Sequence, residues 1–220
     1  MNEIEMNPPL WANSGHLQTL LGYLIPSVEP QLGKKQIFTL KDGDQIDFVS
    51  HNYSSDFVYI FFHGLSGSYL SSYMKRAVHY CDLHKKTYYI FNHRGAGEIK
   101  TKKIYHSGVA PDASEMIDYV RMNNPGKKII ATGYSMSANI LLLLNGKFSD
   151  LPQADFYISV NAPIDLGLCS QRLSEGFNRI YDWNFVRDLR NKLNPEDKKK
   201  PLESIFMTLM RFTQHHAVDF

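Results

Sequence analysis

Short apolar runs alternate with longer amphipathic stretches along most of this chain. The segments "FVYIFF" (57–62), "TYYIFN" (87–92), "KKIIATGY" (127–134) and "ADFYISVNAP" (154–163) are strand-length and apolar, as expected of strands covered on both faces. Helical patterns separate them. One is expected across roughly 70–84, and one is opened by Pro111, with Met116, Ile117 and Val120 on one face. A third is "MSANILLLLNGKF", directly after the strand at 127–134. Repeated β-α-β units joined by short loops predict a mostly parallel sheet flanked by helices.

The flanks read differently. In "SGHLQTLLGYLIP", Leu17, Leu20, Leu21 and Leu24 fall at i, i+3, i+4 and i+7, a short amphipathic helix ended by Pro26. "KQIFTLKDGDQIDFVS" (35–50) is two strands around Asp42-Gly43-Asp44, a hairpin. After residue 165 the strands stop. "LCSQRLSEGFNRIYDWNFVRDLRNKL" reads as helical, and "PLESIFMTLMRF" as a further helix with Leu202, Ile205, Phe206 and Leu209 on one stripe. The expected division is an α/β core over residues 1–165 and a helical segment over 166–220. That segment is either a lid over the loop ends of the sheet or a plain C-terminal helical layer.

Composition narrows the function classes. With 43% hydrophobic and 13% aromatic residues in 220, the chain can build a core and is not globally disordered. A formal charge of +2 gives no footprint for a nucleic-acid partner, and the run "EDKKKP" (196–201) reads as a solvated loop. Cys81 and Cys169 lie far apart without zinc spacing and read as free thiols in a reducing compartment. No secretory signal is visible and no apolar run reaches the ~20 residues needed to span a bilayer, so a soluble cytoplasmic protein is expected.

The candidate chemistry sits in "ATGYSMSANILLLL" (131–144), where a buried strand turns through one serine into a helix. A nucleophile elbow needs small residues two before and two after the serine so that the pinched backbone does not collide. Here the line-up is Gly133, Tyr134, Ser135, Met136, Ser137, that is G-x-S-x-S. The helix start also aims backbone N–H groups at any oxyanion formed beside Ser135. "HGLSGS" follows the earlier strand, where such a fold draws its second donor. The oxyanion candidates are therefore the backbone N–H groups of Leu65 and Met136. The other reading of "HGLSGS" is a glycine turn or phosphate loop, but neither GxGxxG nor GxxxxGK[ST] occurs.

Taken in order, "GHLQTLL", "KDGDQIDF", "HGLSGS", "NHRGAGE", "IYHSG", "GYSMSANILL", "SVNAPIDL" and "GFNRIYDWN" resemble the YheT-like α/β-hydrolases. The resemblance runs from about residue 8 to the end of the chain. It implies an α/β-hydrolase fold, Ser135 as nucleophile and hydrolysis of a carboxylic ester, with a small-molecule ester or lipid as substrate. The chain departs from the family pattern at Ser137 and Ala138, where members carry Gly.

A serine nucleophile needs an imidazole held by a carboxylate, following the serine in the order Ser, Asp or Glu, His. The resemblance puts both after the helical lid, on two further strands, so the last strands and the acid and base are expected beyond residue 220. The only histidines after Ser135 are His215 and His216, and no strand end presents them. Asp150, Asp155, Asp165 and Asp182 read as surface, cap or turn residues, and His63, His93, Arg94 and His106 as structural loop residues. A chain ending so would leave the strand "FYISV" at a sheet edge, open to association. No cofactor or metal is expected, since the nine histidines show no HExxH or similar spacing. Two functions stay open: a serine esterase or lipase-like hydrolase, and a catalytically silent relative that binds a ligand or partner through the same cleft. Phe177, Tyr181, Trp183, Phe206 and Phe212 are either a lining for an apolar acyl group or ordinary core.

Overall fold

A computed structural model describes residues 14–26 and 28–192. The expected helix at "PLESIFMTLMRF", with His215, His216, Phe206 and Phe212, lies outside the described residues. Six strands form one sheet: β1 (Lys34–Thr39), β2 (Gln45–His51), β3 (Phe57–Phe62), β4 (Thr87–Phe91), β5 (Lys128–Tyr134) and β6 (Phe156–Val160). Their spatial order is β1-β2-β4-β3-β5-β6. The β1–β2 hairpin is antiparallel and joins β4 antiparallel, whereas β4, β3, β5 and β6 run parallel.

Helix α2 (Ser72–Leu83) follows β3, α3 (Ala110–Asn123) follows β4, and α4 (Met136–Gly146) follows β5 at once. Pro111 sits in the first turn of α3, where a missing N–H costs nothing. The period-two alternation of the strands divides the core between two faces. Tyr88 and Ile90 of β4 and Phe61 of β3 pack with Met74, Val78 and Cys81 of α2. On the other face Tyr89 and Phe91 of β4 and Val58, Ile60 and Phe62 of β3 pack with Met116, Ile117 and Val120 of α3. Ile140, Leu141 and Leu144 of α4 complete that layer. Every residue of β4 is buried, the pattern its continuous apolar sequence predicts.

Two expectations change in detail. The helical stretch after residue 165 is two helices, α5 (Leu166–Leu173) and α6 (Arg179–Lys192), separated by a single 3₁₀ turn at Gly176–Asn178. After the α5 cap at Ser174 the chain is extended at Glu175 (φ −103°, ψ 141°), and Gly176 follows at φ 52°, a left-handed conformation that lets the next helix start in a new direction. The predicted N-terminal helix forms as α1 (Gly15–Leu24), capped by the Ser14 hydroxyl on Leu17 N–H. Its stripe is not core, however: Leu17, Leu20 and Leu24 are exposed. Instead His16 packs edge-on against Phe177, with ring centres 4.8 Å apart, and bonds the Tyr181 hydroxyl at 3.1 Å.

β6 is an edge of the described sheet, paired only to β5 there, and its Phe156 and Ile158 are exposed. No helix among the described residues is long and apolar enough to cross a membrane.

Candidate active site

The parallel register gathers the chemistry at one end of the sheet. Phe62 of β3 is level with Gly133 of β5 and with Phe91 of β4, and Tyr134 is level with Val160 of β6. The residues that follow the parallel strands, His63-Gly64, Asn92-His93, Ser135 and Asn161, therefore leave the sheet side by side. Crevices at the carboxyl ends of parallel strands are where open α/β sheets hold ligands.

At the end of β5 the chain turns sharply. Ser135 has φ 53° and ψ −120°, a backbone that L-residues rarely adopt, and α4 begins at the next residue. Its N–H donates to Val160 O at 2.9 Å, and its C=O accepts from Ala138 N–H at 2.9 Å. Gly133 is required by this turn, because a Cβ there would run into the Ser137 carbonyl and the Ala138 nitrogen. The Ser135 side chain is exposed, and no hydrogen bond to its hydroxyl comes from any described residue. Met136 is the first residue of α4, so its N–H has no intrahelical acceptor.

The "HGLSGS" loop lies against this elbow. A Cβ on Gly64 would sit 3.1 Å from Ser135 Cβ, 3.2 Å from Tyr134 O and 3.7 Å from Ser135 Oγ, so any side chain there would push the loop and the elbow apart by a few tenths of an ångström. Both peptides around Gly64 are pinned. Gly64 N–H donates to the Tyr73 hydroxyl at 3.0 Å, and Gly64 O accepts from His63 Nδ1 at 2.7 Å and from Gly67 N–H at 3.1 Å. Ser66, at φ 59°, donates its N–H to the Tyr105 hydroxyl at 2.8 Å. The Leu65 N–H between them finds no acceptor among the described residues. Burial raises both phenols, Tyr73 and Tyr105, above their ordinary range, so they remain neutral hydroxyls.

Ser137 makes bonds that its size alone does not disclose. Its hydroxyl is fully buried, donates to His63 O and lies 2.6 Å from His93 Nε2. His93 N–H in turn donates to His63 Nε2 at 3.2 Å. These bonds assign the tautomers. His63 accepts at Nε2 and so carries its proton on Nδ1, facing Gly64 O. The Ser137 proton is given to His63 O, so Ser137 accepts the Nε2 proton of His93.

The other candidates have structural partners. Buried Arg94 is bidentate to Asp112, through Nε at 2.6 Å and Nη2 at 2.9 Å, and its Nη1 reaches Asp42 and Asp44. His106 Nδ1 accepts Gly108 N–H at 3.0 Å. Asp165 caps α5 by accepting Leu168 N–H at 2.8 Å, Asp150 is exposed, and Asp182 lies in the first turn of α6. Asp155 binds Arg121 and Lys128. Phe177 and Trp183 are exposed, and Trp183 is covered on one face by the Arg187 guanidinium at 4.9 Å. Among the described residues no group of three His, Cys, Asp or Glu side chains is arranged to hold a metal ion. The structure thus puts Gly64 and the start of α4 beside Ser135, and puts no described imidazole in hydrogen-bond contact with it.

No protein-family model matches the chain. It is similar to the Escherichia coli protein named "Putative esterase YheT", at 32% identity over 181 residues, which covers 76% of this chain and 51% of that protein. It is also similar to mouse "Monoacylglycerol lipase ABHD2", at 23% identity over 215 residues, covering 89% of this chain and 48% of the mouse protein. The chain spans about half the length of the curated relatives it matches. Among solved structures, the Pyrococcus furiosus esterase Pf2001 shares the fold, with a TM-score of 0.57 at 17% identity over 93% of this chain and 74% of that one.

Proposed function

The chain belongs to the YheT-like α/β-hydrolases, and from that premise we propose that it carries the nucleophile and oxyanion site of a carboxylic-ester hydrolase. Ser135 Oγ attacks the acyl carbonyl carbon while its proton passes to an imidazole. The carbonyl electron pair moves onto oxygen, where the N–H groups of Leu65 and Met136 receive it. Collapse expels the alcohol, protonated by the same imidazole, and water then releases the acid from Ser135. The observation that carries this reading is the backbone of Ser135, held at φ 53° and ψ −120° between a buried strand and a helix. A non-glycine residue keeps such a conformation only where the surrounding structure enforces it.

The activating imidazole and its orienting carboxylate are assigned to positions outside the described residues, because His63 and His93 are already committed to each other and to the loop. Residues 1–165 are read as the core and 166–220 as a cap, of which α5 and α6 are the described part. The substrate is a small ester or lipid, a reading supported by the names of the relatives and by the exposed Phe177, Ile180 and Trp183 on the cap. Free Cys81 and Cys169 fit a reducing, cytoplasmic setting.

A second reading rests on one observation: no described histidine reaches Ser135 Oγ. On that reading the chain binds an ester or a partner without turning it over, since loss of the base in a triad enzyme costs ~10⁶ in kcat. Fluorophosphonate labelling of the 220-residue chain, followed by intact mass beside Ser135→Ala, separates the two. A serine-dependent mass gain supports the hydrolase. A folded chain that never labels carries the nucleophile's scaffold without its base, as the silent binding protein requires of this chain.

A further inference from the structure

The chain places a hydroxyl at position 137, where a nucleophile elbow asks only for a small residue, and buries it completely against two histidines. Burying a hydroxyl is unfavourable unless it is bonded, and here both its proton and a lone pair are used. What it binds is informative. His63 O is the carbonyl of the peptide whose N–H, that of Gly64, is held by Tyr73. That peptide is therefore fixed at both ends, by Ser137 on one side and Tyr73 on the other.

The next peptide is fixed at one end only. Gly64 O is held by the His63 Nδ1 proton at 2.7 Å and, at the longer distance of 3.1 Å, by Gly67 N–H, and the His63 proton resides on Nδ1 because Nε2 accepts from the His93 backbone. A trans peptide points its N–H opposite to its C=O. Anchoring Gly64 O to the His63 ring therefore aims Leu65 N–H the other way, with no described acceptor. The ring of His93, at the other end of the same chain of bonds, is held by Ser137 from α4. The helix that carries Ser135 thus sets the direction of the donor on the opposite loop.

We propose that Ser137 and His93 are positioning residues that couple the Ser135 elbow to the oxyanion loop, fixing the direction of the Leu65 N–H through His63. The inference rests on the esterase reading above for its catalytic consequence. Neither residue touches the substrate. Preorganised donors act because they need no reorientation as charge develops, so a donor free to swing loses most of its effect.

The test compares the 220-residue wild type with Ser137→Ala, His93→Leu and His93→Gln. It reads the rate constant for fluorophosphonate labelling of Ser135 and the ¹H–¹⁵N resonance of the Leu65 amide. Ser137→Ala and His93→Leu are expected to displace the Leu65 resonance and slow labelling by ~10-fold or more, up to the ~10²–10³ that outright loss of one oxyanion donor costs. His93→Gln, which keeps an N–H donor near the Nε2 position, is expected to retain most of the rate. Should Ser137→Ala not fold, Ser137→Gly gives the same comparison. A folded Ser137→Ala with a lower melting temperature but unchanged labelling and an unmoved Leu65 amide overturns the proposal. If wild type itself does not label, the esterase reading fails separately, and the Leu65 resonance alone decides. Its displacement on loss of the hydroxyl upholds the coupling, and an unmoved signal ends it.

Discussion

The N–H of Ser135 donates to the carbonyl of Val160 at 2.9 Å, so the turn at the end of β5 is anchored to the last residue of β6. This bond continues the parallel ladder one residue beyond the strand, and it holds Ser135 while its φ swings to 53°. On the other side Ala138 N–H closes onto Ser135 O. The strained residue is thus held from both neighbouring elements. That over-determination is what lets a serine occupy a conformation suited to glycine.

Strain of this kind is measurable. Ser135→Gly removes an unfavourable backbone term of about 1–3 kcal/mol and adds unfolded-state entropy of about 0.5–1 kcal/mol, leaving a net gain of about 1 kcal/mol. Ser135→Ala keeps its Cβ and so keeps the strain. Urea unfolding is expected to rank Ser135→Gly above both wild type and Ser135→Ala. A Ser135→Gly midpoint at or below that of Ser135→Ala would remove the strain from the account.

Gly133 is constrained by space instead. Its Cβ would meet the Ser137 carbonyl and the Ala138 nitrogen, which are backbone atoms that cannot rotate away. Gly133→Ala is expected to cost about 2–3 kcal/mol, the upper part of the overpacking range, and to displace the elbow. The check is the chemical-denaturation midpoint, together with fluorophosphonate labelling in the fraction that folds. A midpoint within error of wild type would show that the turn opens freely.

Much of the fold was legible because burial leaves a direct imprint on sequence. "FVYIFF" is β3 from first residue to last, and Pro111 marks the first turn of α3. The elbow was legible through spacing, since Gly133 stands two residues before Ser135 for a steric reason that sequence displays. The hydroxyl of Ser137 was not. Its partners lie 44 and 74 residues away, and only the shared register of β3, β4 and β5 brings them together. Arg94 is a similar case, with its three carboxylates more than 15 residues distant on the β1–β2 turn and α3. The break between α5 and α6 falls at extended Glu175 and left-handed Gly176, and Glu175 is by propensity a helix former, so the sequence does not display where the helix stops.

Arg94 anchors the loop that carries His93, and its guanidinium is nearly enclosed by Asp112, Asp44 and Asp42. Those carboxylates, Asp112 foremost, hold the guanidinium charged against the opposing effect of burial. Arg94→Met would strip buried Asp112 of its bidentate partner and leave Asp44 only the Lys102 and Lys103 N–H donors, at an expected cost of about 3–5 kcal/mol. Adding Asp112→Asn removes one of the stranded charges, so the double variant should recover about 1–2 kcal/mol of that loss. Additive effects of the two substitutions in a denaturation cycle would show that the pair is not coupled.

Asp155 joins α3 to the start of β6, and its contribution is set by pH. Burial favours its neutral form, but Ile129 N–H at 2.9 Å, Lys128 at 2.9 Å and Arg121 at 3.1 Å outweigh that and hold the carboxyl down at about 2. A group whose folded value lies below its ordinary 3.8 contributes stability that is complete above the ordinary value. That contribution is lost as pH falls through the folded value. Asp155→Asn keeps an acceptor for Ile129 N–H but loses the charge, so at neutral pH it is expected to cost about 1 kcal/mol. The gap between wild type and Asp155→Asn should stay constant down to about pH 5 and close between about pH 4 and 2. Because Asp155 N–H also bonds Ile129 O at 3.0 Å, the residue pairs the first rung of β6 to β5 through both backbone and side chain. Hydrogen exchange of the β6 amides across the same pH range localises the effect. If their protection in wild type falls toward that of Asp155→Asn as acid is added, the carboxylate secures the strand. If the gap between the two proteins does not change with pH, the charge contributes nothing there.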